Sequence, residues 1–321
     1  MAGDGPAAID PGRAGGTIPT DDAWCGLAWT AWAPLERAAV RRMAPSLSGV
    51  YRVRRAGGDP GRLVYVGQTT RGLRERLLAL AAGANAAECP FNDPHTAAPH
   101  LWLLRGLGGA RLEVSCAPVE SGVPVLRGTE DMLLWRHRVE TGLSTEANHG
   151  RFYPGYARPT NRWVVRGGRS GARSPGRRAG PLAADAAAVD FGLSHHPVLG
   201  GEAGPLQAPW WLRAPLAGAA RSAPAGPAVY CVHGLDADEP VYVGETLSLP
   251  ARVAVHAAAP WPVPEPWLAY LPLPGGTPKH VLRELESDLL GWHFWRTGRA
   301  PASQYSAPPR ATPVIGAEAG A

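Results

Sequence analysis

Two tyrosines, an arginine and a glutamate occur in the same order in each half of this 321-residue chain. The first set is Tyr51, Tyr65, Arg76 and Glu130, and the second set is Tyr230, Tyr242, Arg252 and Glu286. A single carboxylate can hold a Mg²⁺ ion that keeps most of its waters, and an arginine can neutralise charge on a phosphoryl group. A tyrosine hydroxyl can orient a water, or deprotonate it if the tyrosine pKa falls from about 10. Together these groups suit hydrolysis of a phosphodiester bond.

Both sets lie within an internal repeat. The segments GVYRV and VYVGQT of the first half match AVYCV and VYVGET of the second, and each pair is followed by a leucine with an arginine three residues later. Further along, EDMLLWRHRVETG matches ESDLLGWHFWRTG without a gap. Several matches in the same order indicate a duplicated structural unit.

Local patterns predict the elements that position these residues. Two short apolar segments separated by a turn-rich stretch predict an antiparallel hairpin in each copy, and strand alternation puts Val50 and Tyr51 on opposite faces. Apolar residues in helical register from Leu73 place Arg76 on a helix directly after the hairpin.

Two further elements are predicted in each copy. Apolar runs predict a third strand near residues 101–104 and 267–271. Helices are predicted over about 130–140 and 286–296, each opening on a glutamate that the positive helix N-terminus favours. The expected fold class is α/β (α+β), with two small modules that each contain a short, mainly antiparallel sheet flanked by helices.

Composition divides the chain into five segments. Disordered tails are predicted at 1–23 and 309–321, and the two modules at 24–165 and 208–308. Residues 166–207 are rich in Gly, Ser, Pro and Arg, which predicts a flexible basic linker. Arginines in this linker could also follow a phosphate backbone.

The charge of the chain is compatible with a polyanionic partner. Its net charge is +5 and its pI about 9.3, and arginine supplies every Lys or Arg position except Lys279. Arginine binds phosphate bidentately and stacks on bases. A charge this small is equally compatible with a role in solubility, and the arginine bias with codon usage.

Cysteine usage and hydropathy bear on the compartment. The four cysteines are scattered, without the spacing of a zinc site or a disulfide framework, which predicts reduced thiols in a cytoplasmic protein. No apolar run approaches the roughly 20 residues that span a bilayer, and the N-terminus lacks the features of a signal peptide. No membrane association is expected.

The motif residues resemble the signature of the GIY-YIG nuclease superfamily. In the first copy the resemblance is carried by GVY at 49–51, YVGQT at 65–69, and the leucine and arginine at 73 and 76. In the second it is carried by AVY at 228–230, YVGET at 242–246, and the leucine and arginine at 249 and 252. The similarity covers roughly residues 48–148 and 227–304, so the chain resembles two such modules in tandem.

This resemblance implies a role for each matching residue. Tyr51 and Tyr65 would surround the attacking water, Arg76 would bind the phosphate, Glu130 would hold Mg²⁺ (or Mn²⁺), and Asn148 would support the site. The corresponding residues of the second copy are Tyr230, Tyr242, Arg252 and, on the metal, Glu286, with His256 as a further catalytic candidate. Cleavage by such a site would leave a 5′-phosphate and a 3′-hydroxyl.

Each copy departs from the family pattern. The second copy has Ala228 in place of the first glycine, and the gapless register puts Gln304 where Asn148 stands. It has His256 four residues after its arginine, where many family members carry histidine, whereas the first copy has Leu80. The first copy is favoured as the active one, and the second could be a degenerate copy kept for binding or dimer-like packing.

Several simpler interpretations remain open at this point. The tyrosines could be ordinary strand aromatics, and the asparagine could be a turn residue. Arg71 and Arg74 compete with Arg76 for the phosphate role, and Glu284 competes with Glu286 for the metal role. Only the register shared by the two copies separates these alternatives.

The end of the first module alternates arginines with aromatics. The residues predicted to bind nucleic acid are Arg151, Tyr153, Tyr156, Arg158 and Arg162. Arginines on phosphates with aromatics stacked on bases are how single strands are held. A packed C-terminal extension of the module is the alternative.

The sequence thus predicts a metal-dependent endonuclease acting on DNA, with RNA left open as the less favoured substrate, in which the two copies could pack as an intramolecular pseudo-dimer. The alternative is a catalytically inactive nucleic-acid-binding or scaffold protein built on degenerate nuclease modules. A steep salt dependence of binding without turnover would distinguish it.

Overall fold

Two α+β modules, each with a four-stranded antiparallel sheet flanked by helices, make up the fold, which confirms the predicted fold class. The structure is a computed structural model. It describes residues 18–90, 97–151, 198–199, 211–235 and 239–305, together with four two-residue strands between 156 and 178.

The first module has the sheet order β1-β4-β2-β3. A short 3₁₀ turn at Trp24–Gly26 precedes it. Its elements are β1 Ala33–Pro34, α1 Arg37–Met43, β2 Gly49–Arg55, β3 Tyr65–Thr69, α2 Leu73–Ala84, α3 Ala98–Gly108, β4 Leu112–Pro118 and α4 Val123–Thr141.

Short main-chain ladders follow the first module. They are β5 Tyr156–Ala157, β6 Val165–Arg166, β7 Arg169–Ser170 and β8 Arg177–Arg178. β5 pairs with β8 and β6 with β7. β7, β8 and the second residue of β6 lie within the predicted 166–207 linker. Ladders of two residues are too short to show a hydrophobic periodicity in the sequence.

The second module repeats the architecture of the first, with the sheet order β11-β10-β12-β9. Its elements are β9 Leu212–Pro215, α5 Leu216–Ser222, β10 Ala228–His233, β11 Tyr242–Thr246, α6 Leu249–Ala257, β12 Trp267–Pro272 and α7 Lys279–Thr297. Matching each strand to its counterpart gives the same spatial order in both modules, as a duplication requires.

The hairpins and the helices after them agree with the sequence analysis. β2 pairs with β3, and β10 with β11, both antiparallel. Val50 and Tyr51 belong to core clusters on opposite faces of the first sheet, as alternation predicted. Arg76 lies in the first turn of α2, and β12 covers the predicted strand at 267–271.

One predicted strand is wrong. Residues 101–104 lie in α3, and the third strand of the first sheet is β4. A short, wholly apolar run has no period that separates a buried strand from a buried helix. The proline in the first turn of α3 was the available signal, because proline is favoured there.

Both long helices begin earlier than predicted. α4 begins at Val123 and α7 at Lys279, so Glu130 and Glu286 each lie seven residues into a helix rather than at its N-terminus. Gly128 interrupts the apolar pattern of α4, so this pattern did not predict the first turns of that helix. The N-terminal dipole therefore does not act directly on either glutamate, since it falls off within the first turn.

Part of the predicted N-terminal tail packs against the first sheet. The Arg52 guanidinium donates to the carbonyls of Pro19 at 2.6 Å and Asp21 at 2.8 Å, and the Trp32 indole donates to the Thr20 carbonyl. The predicted tail of residues 1–23 is corrected accordingly, because residues 18–23 supply acceptors to a buried arginine.

The two modules pack together through α4 and α7. The gapless register aligns Asp131 with Ser287, and the Ser287 hydroxyl donates to the Asp131 carboxylate at 2.6 Å. Nearby, a Cβ built at Gly291 would lie 2.6 Å from the Cβ of its equivalent, Trp135. Contacts between equivalent positions indicate a pseudo-two-fold axis, so the modules form an intramolecular pair.

Away from this axis the two equivalent contacts differ. The Phe294 ring lies directly over Gly128, whereas the corresponding positions hold an ion pair in which Arg138 Nε is 3.0 Å from Glu284. A symmetric pair of α4 helices would place Arg138 opposite glycine instead of an acid. The differences therefore favour α4 pairing with α7.

A buried charge network surrounds that ion pair. Arg151 donates to Glu284 at 2.6 Å, and Arg138 also pairs with Asp288. Burial raises the pKa of Asp288 to about 7, against the opposite effect of Arg138. The Leu199 amide donates to Asp288 at 3.1 Å, so this point of the predicted flexible linker is held at the module interface.

We expect Gly128→Ala to destabilise the protein, because a Cβ there would lie 2.5 Å from Phe294 Cε2. Overpacking of this kind costs about 1–3 kcal/mol. Gly106→Ala is the matched control, since Gly106 is also a helical glycine and a Cβ there meets no described atom within 4 Å; it should gain about 0.5–1 kcal/mol of helix propensity. Urea midpoints measure both, and equal shifts would contradict the close approach of α4 and α7.

A second prediction concerns His137, whose Nε2 accepts from the Leu63 amide at 3.0 Å while Nδ1 faces the Leu143 carbonyl. Burial lowers the pKa of His137 from 6.5 to about 4. Its contribution to stability is therefore present above pH 6.5 and is lost as the pH falls towards 4.

The variant His137→Gln keeps an acceptor but does not titrate. Between pH 7 and 4 we expect the free energy of unfolding to fall by about 3 kcal/mol more in the wild type than in the variant. Urea titrations at each pH measure the difference. Parallel pH profiles would show that His137 is not buried in its neutral form.

Candidate functional site

Tyr51 and Tyr65 lie on one face of the first sheet, on the adjacent strands β2 and β3, with ring centroids 5.9 Å apart. Gly67 is the residue directly opposite Tyr51 in the ladder. A Cβ at Gly67 would lie 2.6 Å from the Tyr51 hydroxyl and 2.9 Å from Tyr65 Cε1. Glycine therefore makes room for both rings, which gives a physical reason for the YVG sequence.

Arg76 reaches this pair from α2. Its Nε donates to the Tyr51 hydroxyl at 3.2 Å, and the side chain is half-buried. Burial raises the pKa of Tyr51 despite the opposing effect of Arg76, and burial likewise raises the pKa of Tyr65. Both phenols are therefore neutral at physiological pH, which suits orienting a water rather than deprotonating it.

Glu130 completes the cluster from α4. Burial and the neighbouring Asp131 raise its pKa to about 8, and Arg76 and Arg127 lower it. The charge of Glu130 in turn raises the pKa of Tyr51. Four elements, β2, β3, α2 and α4, thus bring the four predicted residues of the first copy together.

The surroundings of Glu130 suit a cation. A partly buried carboxylate is stabilised in its charged form by a nearby cation, and Arg76 and Arg127 lower the pKa of Glu130 in this way. Within the described ranges no three His, Cys, Asp or Glu side chains form a metal cluster. A Mg²⁺ bound through one carboxylate, with waters and phosphate oxygens as its other ligands, fits this donor set.

Asn148 supports the site from behind β3. Its Oδ1 accepts from the Val66 amide at 2.9 Å and from the Thr145 hydroxyl at 2.8 Å, and its Nδ2 donates to the Val66 carbonyl. The side chain is buried. Asn148 therefore positions the strand that carries Tyr65, which is compatible with the supporting role that the resemblance implies.

Gln304 occupies the corresponding place in the second module. Its Oε1 accepts from the Val243 amide at 3.0 Å, and Val243 is the counterpart of Val66 in the YVG segments. Substitution of glutamine for asparagine therefore preserves the support of the second strand.

The second module assembles the same groups with one addition. Arg252 donates to the hydroxyls of Tyr230 at 3.0 Å and Tyr242 at 3.2 Å. His256 Nε2 lies 2.8 Å from the Tyr230 hydroxyl. Burial and Arg252 lower the pKa of His256 to about 4, so the imidazole is neutral and can accept the tyrosine proton in this hydrogen bond.

Of the two competing acids on α7, Glu286 belongs to the second site. It is half-buried and its charge raises the pKa of Tyr230. Burial and Glu245 raise the pKa of Glu286 to about 8, whereas Lys279 lowers it. Glu284 is instead buried at the module interface, which removes it as an alternative metal ligand.

The segment predicted to bind nucleic acid is corrected at one position. Arg151 is buried, pairs with Glu284 and donates to the Thr145 carbonyl at 3.1 Å, so it stabilises the module interface instead of facing a ligand. Tyr153, Arg158 and Arg162 lie outside the described residues, and Tyr156 is described only as main chain in β5.

A groove beside Arg76 was not predicted from the sequence. It has a volume of about 460 Å³, within the range of small-molecule sites. Its lining consists of Gln68, Thr69, Thr70, Arg71, Glu75, Arg76 and Ala79. The polar and cationic residues between β3 and α2 could have indicated this groove. Arg71 was predicted only as an alternative to Arg76 for binding phosphate.

No protein-family model matches the chain, and neither does any curated protein or any solved structure. The interpretation of both sites therefore depends on their own residues and geometry.

Proposed function

We propose that this protein is a metal-dependent endonuclease that hydrolyses phosphodiester bonds in DNA through a GIY-YIG-type site in its first module. The observation that carries the proposal is the convergence of Tyr51, Tyr65, Arg76 and Glu130, from four separate elements, beside an open groove. Tyrosines that serve only as core residues of a sheet do not require an arginine bound to one hydroxyl and a carboxylate near both rings.

In this proposal Arg76 has two tasks. Its Nε fixes the Tyr51 hydroxyl, and its terminal nitrogens can bind the non-bridging oxygens of the scissile phosphate. The neutral Tyr51 hydroxyl then orients the water that attacks phosphorus. As the new P–O bond forms and the P–O3′ bond breaks, the water loses one proton to solvent and the 3′ oxygen takes one from solvent, which leaves a 5′-phosphate and a 3′-hydroxyl. A Mg²⁺ or Mn²⁺ held by Glu130 would supply charge neutralisation and a more acidic bound water.

The rim of each site favours the first module for binding a polyanion. The groove at the first site has Gln68 and Arg71 at its edge. At the second site Leu247 and Val255 are 57% and 60% exposed, and Glu245 takes the place of Gln68. A phosphate backbone binds better to a polar rim that carries an arginine than to a rim with exposed apolar side chains.

Two further observations concern membrane association and location in the cell. Among the residues that the structure describes, no helix is both long and apolar enough to cross a bilayer. Cys25, Cys116 and Cys231 are free and buried, which supports the proposed cytoplasmic location because reduced thiols persist there.

Cleavage assays test the proposal directly. The full chain is incubated with supercoiled plasmid, branched DNA, single-stranded DNA and RNA, each with Mg²⁺, Mn²⁺ or chelator. We expect metal-dependent cleavage of DNA that Arg76→Ala abolishes. Tight, salt-sensitive binding without turnover on any substrate would instead favour a catalytically inactive nucleic-acid-binding protein.

A further inference from the structure

The second site contains a cation from the chain itself. Lys279 is the single lysine of the sequence, and its ammonium pairs with the Glu245 carboxylate. Lys279 is the first residue of α7, and Glu245 lies on β11 directly after the YVG segment. The side chain of Lys279 is 41% exposed and that of Glu245 is 10% exposed, so the ammonium closes the outer edge of the site.

Glu286 lies on the same side of α7 as Lys279. It is seven residues, or two helical turns, after Lys279 and about 10 Å further along the helix axis, and α7 packs against β11, the strand that carries Glu245. Glu245 is the carboxylate with the largest effect in raising the pKa of Glu286, and Lys279 is the cation with the largest effect in lowering it. The second site thus has the Lys279–Glu245 pair and the Glu286 carboxylate on two adjoining elements, β11 and α7.

The first site differs at both positions. Gln68 stands where the second module has Glu245, and the gapless register puts Val123 where it has Lys279. At these two positions the first site therefore offers neither a carboxylate nor a lysine. Two tyrosines and an arginine are the same in both modules, and His256 is an addition of the second.

Two neighbouring carboxylates in a partly buried site repel each other unless a cation lies between or beside them. An ammonium and a divalent ion meet that need in the same location, so one excludes the other unless the lysine leaves. A divalent ion would have to break the Lys279–Glu245 pair before it could bind both acids.

We propose that the Lys279 ammonium takes the place of the divalent metal ion at the second site, so that the chain binds one such ion, at Glu130 in the first module. This inference rests on the proposed function for the role of Glu130. It assigns Lys279 and Glu245 as the residues that make the two copies unequal. The second module then binds substrate without a metal, and each encounter with duplex DNA cuts one strand.

The test measures Mn²⁺ binding to the full chain, detected as a loss of the electron paramagnetic resonance signal of free Mn²⁺. We expect the wild type to bind one ion, Glu130→Gln to bind none and Glu286→Gln to bind one. Lys279→Met should bind two, and Lys279→Met with Glu245→Gln, which recreates the Gln68 and Val123 pattern of the first site, should also bind two. Lys279→Gln is a second variant that removes the ammonium and keeps a polar side chain.

A wild type that binds two ions, one of them lost in Glu286→Gln, would overturn the inference. So would Lys279→Met and Lys279→Gln that both keep the wild-type number of ions. Failure of the proposed nuclease function is separate: it appears as absent DNA cleavage or as a wild type that binds no Mn²⁺. A Lys279 variant that binds one more Mn²⁺ ion than the wild type would support the inference whether or not the protein cleaves DNA.

Discussion

Glu130→Gln is expected to lower the rate of Mg²⁺-dependent DNA cleavage by roughly 10²- to 10³-fold, the loss seen when a group that stabilises transition-state charge is removed. Glutamine has the shape of glutamate but lacks the charge that holds a divalent cation. Because burial and Asp131 already raise the pKa of Glu130 to about 8, a neutral side chain there suits the fold. The loss of rate should therefore occur without loss of stability.

Glu286→Gln is the matched control for this experiment. It makes the same change at the equivalent position of α7, where burial and Glu245 raise the pKa of the carboxyl to about 8. We expect it to change the cleavage rate by less than about 3-fold, within the range of a variant that removes no transition-state contact. Urea midpoints of both variants verify folding.

The opposite pattern would reassign the active copy. If Glu286→Gln abolished cleavage and Glu130→Gln did not, the second module would be the working one. His256 would then be the group that distinguishes it from the first module, since it contacts the Tyr230 hydroxyl.

Glu284→Gln is expected to lower the free energy of unfolding by about 3–5 kcal/mol, the cost of breaking a buried ion pair from one side. Glu284 is about 1% exposed and pairs with two guanidinium groups, those of Arg138 and Arg151. Its removal leaves two buried positive charges with one fewer anion at the interface of α4 and α7. The measurement is the urea unfolding curve of the full chain.

Glu113→Gln provides the control for this second prediction. Glu113 pairs with Arg54 at 2.8 Å, but both side chains are about a quarter exposed. Partly exposed pairs contribute only about 0.2–1 kcal/mol, so this variant should unfold close to the wild type. Equal losses in the two variants would show that the interface network does not hold the modules together.

Features that depend on neighbours in sequence were predictable. The hairpins, the helix that carries Arg76 and the alternation of Val50 and Tyr51 all arise within a few residues. The gapless repeat allowed further predictions, because duplicated sequences fold alike. It paired Glu286 with Glu130 and Gln304 with Asn148, and the second pair binds equivalent strand amides.

Features that depend on burial between distant segments were not predictable. Arg151 has the composition of a nucleic-acid contact, but it lies 133 residues from its partner Glu284, and only packing of the two modules brings them together. Sequence spacing likewise gave no reason to connect Lys279 with Glu245.

The sequence by itself determined the two-module α+β fold, its hairpins and the residues of the candidate sites, because these follow from local periodicity and from the repeat. Tertiary structure alone decided which arginines are buried, which acid on α7 faces the second site and where each long helix begins. Charged side chains look alike in sequence whether they bind a ligand or another module. Desolvation and the position of the oppositely charged partner separate the two cases, and both are set by packing.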